Sequence, residues 1–67
     1  MFEYQVGERV FFKNDDFDAI KNRKYIPCIV KHIDNQKMVI VDIDTNTDLY
    51  IQKGFNDDLV YKEHLVL

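Results

Sequence analysis

Apolar and polar residues alternate in short runs along this chain, and polar segments rich in Asn and Asp separate the runs. Alternation with a period of two is typical of β-strands that bury one face. The chain holds only two glycines and one proline, so Asn and Asp are the residue types left to form turns. The pattern predicts five short strands, with a long, acidic first loop, in the segments 6–13, 24–33, 38–44, 49–52 and 59–67.

The alternation also predicts which side chains are buried. In the first run Val10 and Phe12 point to one side and Arg9, Phe11 and Lys13 to the other. In the second run Ile26, Cys28, Val30 and His32 share one face, and in the third Val39, Val41 and Ile43 alternate with Ile40, Asp42 and Asp44. From these sets we expect a core formed by Val10, Cys28, Val30, Val39, Val41 and Leu65.

The second run, KYIPCIVKHI, raises the question of whether it is a reactive site or a buried strand. A nucleophilic cysteine needs a nearby base or positive charge. His32 lies four residues after Cys28, which is about 13 Å along a strand and too far for a hydrogen bond. We therefore expect Cys28 to be a core residue and expect no catalytic site, metal site or cofactor. Pro27 cannot donate to a ladder, so we expect an edge, a bulge or a bend there.

The runs VGERVFF, KYIPCIV, MVIVDID and LVYKEHLVL together resemble the Src-homology-3-like (SH3-like) barrel in its Tudor and KOW variants. The features that carry the resemblance are Gly7 and Val10, then Tyr25, Cys28 and Val30, then Val39 to Ile43, then Glu63, His64 and Leu65. The resemblance implies an all-β fold: a small five-stranded antiparallel SH3-like barrel with a long first loop and a short helical turn near the C-terminus. In Tudor domains that bind methylated side chains, an aromatic cage holds the cation. Phe17 and Tyr25 match two of its positions, and Val41 stands where a third aromatic residue would be needed.

Size and charge narrow the class of protein. The 67 residues predict one domain over 1–67, and 46% hydrophobic with 31% charged residues is the balance of a folded, soluble protein. A net charge of -3 argues against a protein whose whole surface binds the nucleic-acid backbone. A single cysteine cannot form an internal disulfide, and the N-terminus lacks the apolar region of a signal peptide. We therefore expect a cytoplasmic protein that is not bound to a membrane.

Aromatic residues are the strongest indication of function, because five Phe and four Tyr exceed what a core this small can hide. The first hypothesis is that this protein is a non-enzymatic interaction module, for example a phage-type accessory or inhibitor protein, and that it binds a larger cytoplasmic protein. Its candidate contact residues are Phe17, Tyr25, Tyr50, Phe55 and Tyr61. The alternative is binding of RNA or single-stranded nucleic acid through a basic patch of Lys21, Arg23, Lys24, Lys31 and Lys37.

Overall fold

A computed structural model describes residues 3–14 and 24–66. Its five strands are β1 (Arg9–Lys13), β2 (Tyr25–Ile33), β3 (Lys37–Asp42), β4 (Asp48–Gln52) and β5 (Val60–Lys62). A 3-10 turn, Asp57–Leu59, precedes β5, and the helix α1 (Glu63–Val66) follows it. The predicted all-β class, the number of strands and the short helical turn near the C-terminus are confirmed. Most of the predicted first loop, 15–23, lies outside the described residues.

The strands form one antiparallel sheet in the order β4-β3-β2-β1-β5. The first four strands pair with their neighbours in sequence, and β5 pairs with the free side of β1. β4 and β5 are therefore the two edge strands, and no ladder joins them in the described part of the chain. The sheet is open, so the predicted closure into a barrel is not seen in these residues.

The core lies on one face of this sheet and draws on every strand. Seven side chains form it, with exposures of 0–6%: Val10, Cys28, Val30, Met38, Ile40, Ile51 and Val60. A flat single sheet would leave such a face open to water, so exposures this low require the sheet to curl around its own side chains. Tyr4, Phe12, Ile26, Ile33 and Leu49 pack around the cluster.

The register of β3 differs by one residue from the predicted one. Val30 pairs with Ile40 and Ile29 pairs with Val41, so Ile40 shares the inner face with Val30 while Val41 faces outward. The prediction that Val39 and Val41 are core residues was wrong, since both are only half-buried.

The inner set of β3 ends in Asp42, which is 6% exposed. Its carboxylate Oδ1 accepts the backbone N–H groups of Asp44 at 2.9 Å and Thr45 at 3.4 Å. A buried polar group is tolerated when it is hydrogen-bonded, and these bonds also end the strand two residues earlier than predicted. The polar residues Asp42 and Asp44 therefore mark the turn that follows β3, and they do not indicate that their side of the strand is the outer face.

The predicted face of His32 and the predicted burial of Leu65 both fail where the strand geometry changes. The register of β2 against β3 shifts between Val30 and His32, and this bulge leaves Lys31 and His32 exposed while Ile33 turns back to the core. Leu65 is 67% exposed, because the chain leaves the sheet after β5 and continues as α1. Strand alternation no longer applies there.

Pro27 lies just beyond the end of the β2–β3 ladder, which begins at the pair Cys28 and Asp42. Its carbonyl accepts the backbone N–H of Ile43 at 3.0 Å. The missing N–H of Pro27 therefore interrupts no pair within that ladder, as the residue type required.

Lys62 fixes the segment before β1 against β5. Its Nζ donates to the backbone carbonyl of Glu3 at 2.7 Å and to the Glu8 carboxylate at 3.0 Å, and lies 4.4 Å from the Tyr4 ring centroid. The Tyr4 hydroxyl donates to the Val60 carbonyl at 3.1 Å. The Lys62 hydrogen bond lowers the pKa of Glu8, and burial raises the pKa of Tyr4.

Candidate binding surface

The outer face of the sheet carries apolar side chains on all five strands. The ladders place Phe11 between Tyr61 and Pro27, Ile29 beside Val41, and Val39 beside Tyr50. Side chains directly opposite each other on one face are about 4.5–5.5 Å apart at Cβ, so the members of each of these three groups are neighbours. We call this surface the outer stripe: Phe11, Tyr25, Pro27, Ile29, Val39, Val41, Tyr50 and Tyr61.

One end of the outer stripe is an aromatic pair. The rings of Tyr25 and Tyr61 meet edge to face, with centroids 6.1 Å apart and planes at 78°. Lys24 Nζ lies 5.9 Å from the Tyr25 ring centroid. Two predicted contact residues that are distant in sequence are thus brought together, because β1 lies between β2 and β5 in the sheet.

Two ion pairs lie beside residues of the outer stripe, because Arg9 is opposite Ile29 and Asp48 is opposite Val41. Arg9 Nε lies 2.9 Å from Glu63 Oε2, and Lys31 Nζ lies 3.2 Å from Asp48 Oδ2. Lys31 is on β2 and Asp48 is on β4, so this ion pair joins the two strands that flank β3.

The other end of the outer stripe opens into a groove with a volume of about 300 Å³. We call it the end groove, and its lining residues are Gln36, Lys37, Tyr50, Ile51, Gln52 and Phe55. Phe55 is 80% exposed and Tyr50 is 69% exposed, more than any other described large hydrophobic residue. Two more of the predicted contact residues therefore lie in one concave site.

Asn56 holds the loop that carries Phe55 against the edge of β4. Its Oδ1 accepts the Gln52 backbone N–H at 2.8 Å, and its Nδ2 donates to the Tyr50 carbonyl at 3.1 Å. The Phe55 backbone N–H donates to the Gln52 carbonyl at 3.0 Å. The amide of Asn56 thus bonds edge groups of β4 that a further strand would otherwise pair with.

The importance of Asn56 escaped the sequence analysis, which assigned 53–58 to an ordinary loop. Asn is a common turn residue, and nothing in the spacing marks this one as special. Its role depends on β4 being an edge strand, which only the sheet order determines.

Lys37 is the one charged residue among the described residues that line the end groove. Lys53 follows the lining residue Gln52, and neither lysine forms an ion pair with another described residue. The Asp34 carboxylate, in the turn before Lys37, accepts the N–H groups of Gln36 and Lys37, at 2.8 and 2.9 Å. These backbone hydrogen bonds lower the pKa of Asp34.

The described members of the predicted basic patch are spread along the sheet. Lys24 precedes β2, whereas Lys37 begins β3 at the far end of the β2–β3 hairpin, about 30 Å away along the strands. Lys31 lies between them and is paired with Asp48. Lys21 and Arg23, together with the candidate contact residue Phe17, lie outside the described residues.

The structure places Cys28 in the core and His32 at the surface. Cys28 is fully buried, and its Sγ lies 3.3 Å from the Ile26 carbonyl oxygen, so the prediction that it is a core residue is confirmed. His32 is at the surface, with Nε2 3.6 Å from Asp34 Oδ2. Within residues 3–14 and 24–66, no group of three or more His, Cys, Asp and Glu residues could hold a metal ion.

No helix in the described part of the chain is long and apolar enough to cross a membrane. Comparisons with family models, with curated proteins and with solved structures found no match to this chain. The outer stripe and the end groove are therefore the features from which its function is inferred.

Proposed function

We propose that this protein is a non-enzymatic interaction module that binds a larger protein partner through the end groove and the adjoining outer stripe. One observation carries the proposal: the two most exposed large aromatic residues described, Tyr50 and Phe55, line the same groove. Exposed aromatic rings lose contact with water when a partner covers them, and they are the residue type most often found as energetic anchors of interfaces.

The surroundings of these two residues have the composition of an interface. Apolar side chains of the outer stripe lie between Tyr50 and the Tyr25–Tyr61 pair, and the ion pairs Arg9–Glu63 and Lys31–Asp48 lie beside Ile29 and Val41 among them. Protein contact surfaces combine apolar and aromatic side chains with polar and charged groups.

The finer assignments made from the sequence are part of this proposal. They are an SH3-like barrel of the Tudor or KOW type and a cytoplasmic setting in which a phage-type accessory or inhibitor protein would act. The open, curled five-stranded sheet is compatible with that fold. An aromatic cage receives less support, because the outward position on β3 next to Ile29 is occupied by Val41 and not by an aromatic residue.

The proposal is tested by affinity capture from lysate, followed by reconstitution with the purified captured protein. Tyr50→Ser and Phe55→Ser should each weaken binding tenfold or more, by about 1.4 kcal/mol or more. Leu65→Ser is the matched control, since Leu65 is 67% exposed and lies on α1 outside both surfaces. Binding that both aromatic variants retain, or that Leu65→Ser weakens equally, would contradict the proposal.

The second candidate function is nucleic-acid binding, and the position of Lys24 over the Tyr25 ring favours it. A cation beside an exposed ring is the arrangement on which single-stranded bases stack. In that case affinity for a single strand should fall steeply with salt. Lys24→Ala and Lys31→Ala should each lower the salt slope by about one unit if the lysine contacts a phosphate.

A further inference from the structure

We infer that the end groove binds an acidic peptide segment that carries a large apolar side chain next to its carboxylates. This inference rests on the proposed function and specifies the chemistry of the partner. It is carried by the juxtaposition in one groove of two exposed aromatic rings and a lysine that has no ion-pair partner among the described residues.

The apolar residues of the groove favour a bound segment with one large apolar side chain. Tyr50 and Phe55 provide exposed rings, and the volume of about 300 Å³ is at the lower end of the range for ligand pockets. A single Leu, Phe or Trp side chain matches a site of this size. The amides of Gln36 and Gln52 provide hydrogen-bonding groups beside it.

The lysines at the groove favour carboxylates next to that apolar side chain in the bound segment. Lys37 pairs across the ladder with Gln52, so its side chain and that of Gln52 lie on the same face. Lys53 follows immediately, and the nearby carboxylates of Asp34, Asp48 and Asp57 are engaged by Gln36, Lys31 and Gly54. A backbone N–H does not cancel the charge of a carboxylate, so of these three only Asp48 is neutralised, by Lys31. None of the three carboxylates lines the groove, whereas Lys37 does.

The net charge of -3 does not oppose this preference. Exposed charges are largely screened beyond about 8 Å at physiological ionic strength. The acidic side chains of Glu3, Glu8 and Glu63 belong to the β5 and α1 end of the sheet, on the opposite edge from β4. Lys37 lines the groove itself, so it is the charged side chain that a bound segment contacts.

The edge of β4 excludes one mode of binding for such a segment, namely the addition of a strand to the sheet. Asn56 occupies the Gln52 N–H and the Tyr50 carbonyl, so a partner strand cannot extend the sheet along this part of the edge. Recognition must then come from side chains in the groove, and it requires an anchor residue and its charges rather than a long extended backbone.

The inference is tested with three fluorescent probes of defined chemistry at about 0.05 M salt, where charge effects are large. They are the peptide acetyl-Glu-Trp-Leu-Glu-amide, the peptide acetyl-Lys-Trp-Leu-Lys-amide and a thymidine hexanucleotide. Anisotropy gives the affinities, and amide chemical shifts from NMR locate each probe. We expect the acidic peptide to bind at least fivefold more tightly than the basic one and to shift the amides of Lys37, Tyr50 and Phe55.

Lys37→Glu should abolish this preference, whereas Lys24→Glu, the same charge change at the other end of the sheet, should leave it unchanged. Equal affinity for both peptides, with both lost in Tyr50→Ser, would overturn the charge preference and leave the proposed function standing. Tightest binding of the hexanucleotide would overturn the inference in favour of nucleic acid. Absence of shifts at the groove with every probe would also overturn it, while the proposed function would be decided separately by the captured partner.

Discussion

The register of β3 predicts that two adjacent residues differ sharply in their contribution to stability. Ile40 is fully buried, whereas Val41 faces outward and is half-buried. Ile40→Ala removes three buried carbons, about 2.4 kcal/mol at about 0.8 kcal/mol each, and the cavity left behind raises the cost to about 3–4 kcal/mol. Val41→Ala removes two carbons that are about half sheltered, which should cost about 0.8 kcal/mol.

Urea unfolding followed by circular dichroism measures this difference. With a slope of about 1 kcal/mol per molar urea, the midpoint should fall by about 3–4 M for Ile40→Ala and by less than about 1 M for Val41→Ala. A chain of 67 residues has a free energy of unfolding of only about 3–10 kcal/mol, so Ile40→Ala can leave the protein largely unfolded.

Ile40→Val keeps the comparison measurable in that case, since it deletes one methylene and should cost about 0.5–1.5 kcal/mol. The outcome that refutes the register is a larger loss of stability for Val41→Ala than for Ile40→Ala. That result would place the valines of β3 in the core and Ile40 on the outer stripe.

Three more predictions follow from buried or paired groups. Cys28 should react with a thiol reagent much more slowly in the folded protein than in denaturant, because it is fully buried, and Cys28→Val should preserve partner binding. The hydrogen bond from Lys62 lowers the pKa of Glu8 in the folded protein. The stability from this pair should therefore be complete above the unfolded pKa of about 4.3 and should be lost as the pH falls through the lower folded value. Between about pH 6 and pH 3, urea midpoints should fall less steeply for Glu8→Gln than for the wild type. Asn56→Ala should cost about 1–2 kcal/mol and promote association on size-exclusion chromatography, because it exposes the edge groups of β4.

Each of these has a clear contrary outcome. Rapid native labelling of Cys28 would restore the hypothesis of a reactive thiol. Identical pH profiles for the wild type and Glu8→Gln would show that the Glu8–Lys62 bond adds no stability. The control for Asn56→Ala is Asn35→Ala, a change at an exposed residue of the β2–β3 turn; equal association of both variants would mean that the edge of β4 is not protected by Asn56.

The sequence by itself determined the all-β class and the approximate positions of the five strands. Period-two alternation is a local property, and so is the choice of Asn and Asp for turns when glycine and proline are scarce. The same local signals identified Val10, Cys28 and Val30 as core residues, because both neighbours of each inward position in β1 and β2 are predicted to face outward.

The aromatic excess was also visible in the sequence, and four of the five candidate contact residues fall among the described residues. The chain order could not show that they divide into the Tyr25–Tyr61 pair and the Tyr50–Phe55 groove. That division follows from the strand order, which places β5 beside β1 and leaves β4 at the opposite edge.

Only the tertiary structure decided the register of β3, the identity of the edge strands and the role of Asn56. Both faces of β3 are largely apolar, so alternation alone could not distinguish Val41 from Ile40 as the inward residue. Pairing with β2 determines which residue faces inward, because Ile40 lies opposite the inward-facing Val30. Asp42 also lies on the inner face, because backbone N–H groups of the following turn donate to its carboxylate. These features depend on contacts between segments that are separate in the sequence, and a local pattern carries no information about which segments will meet.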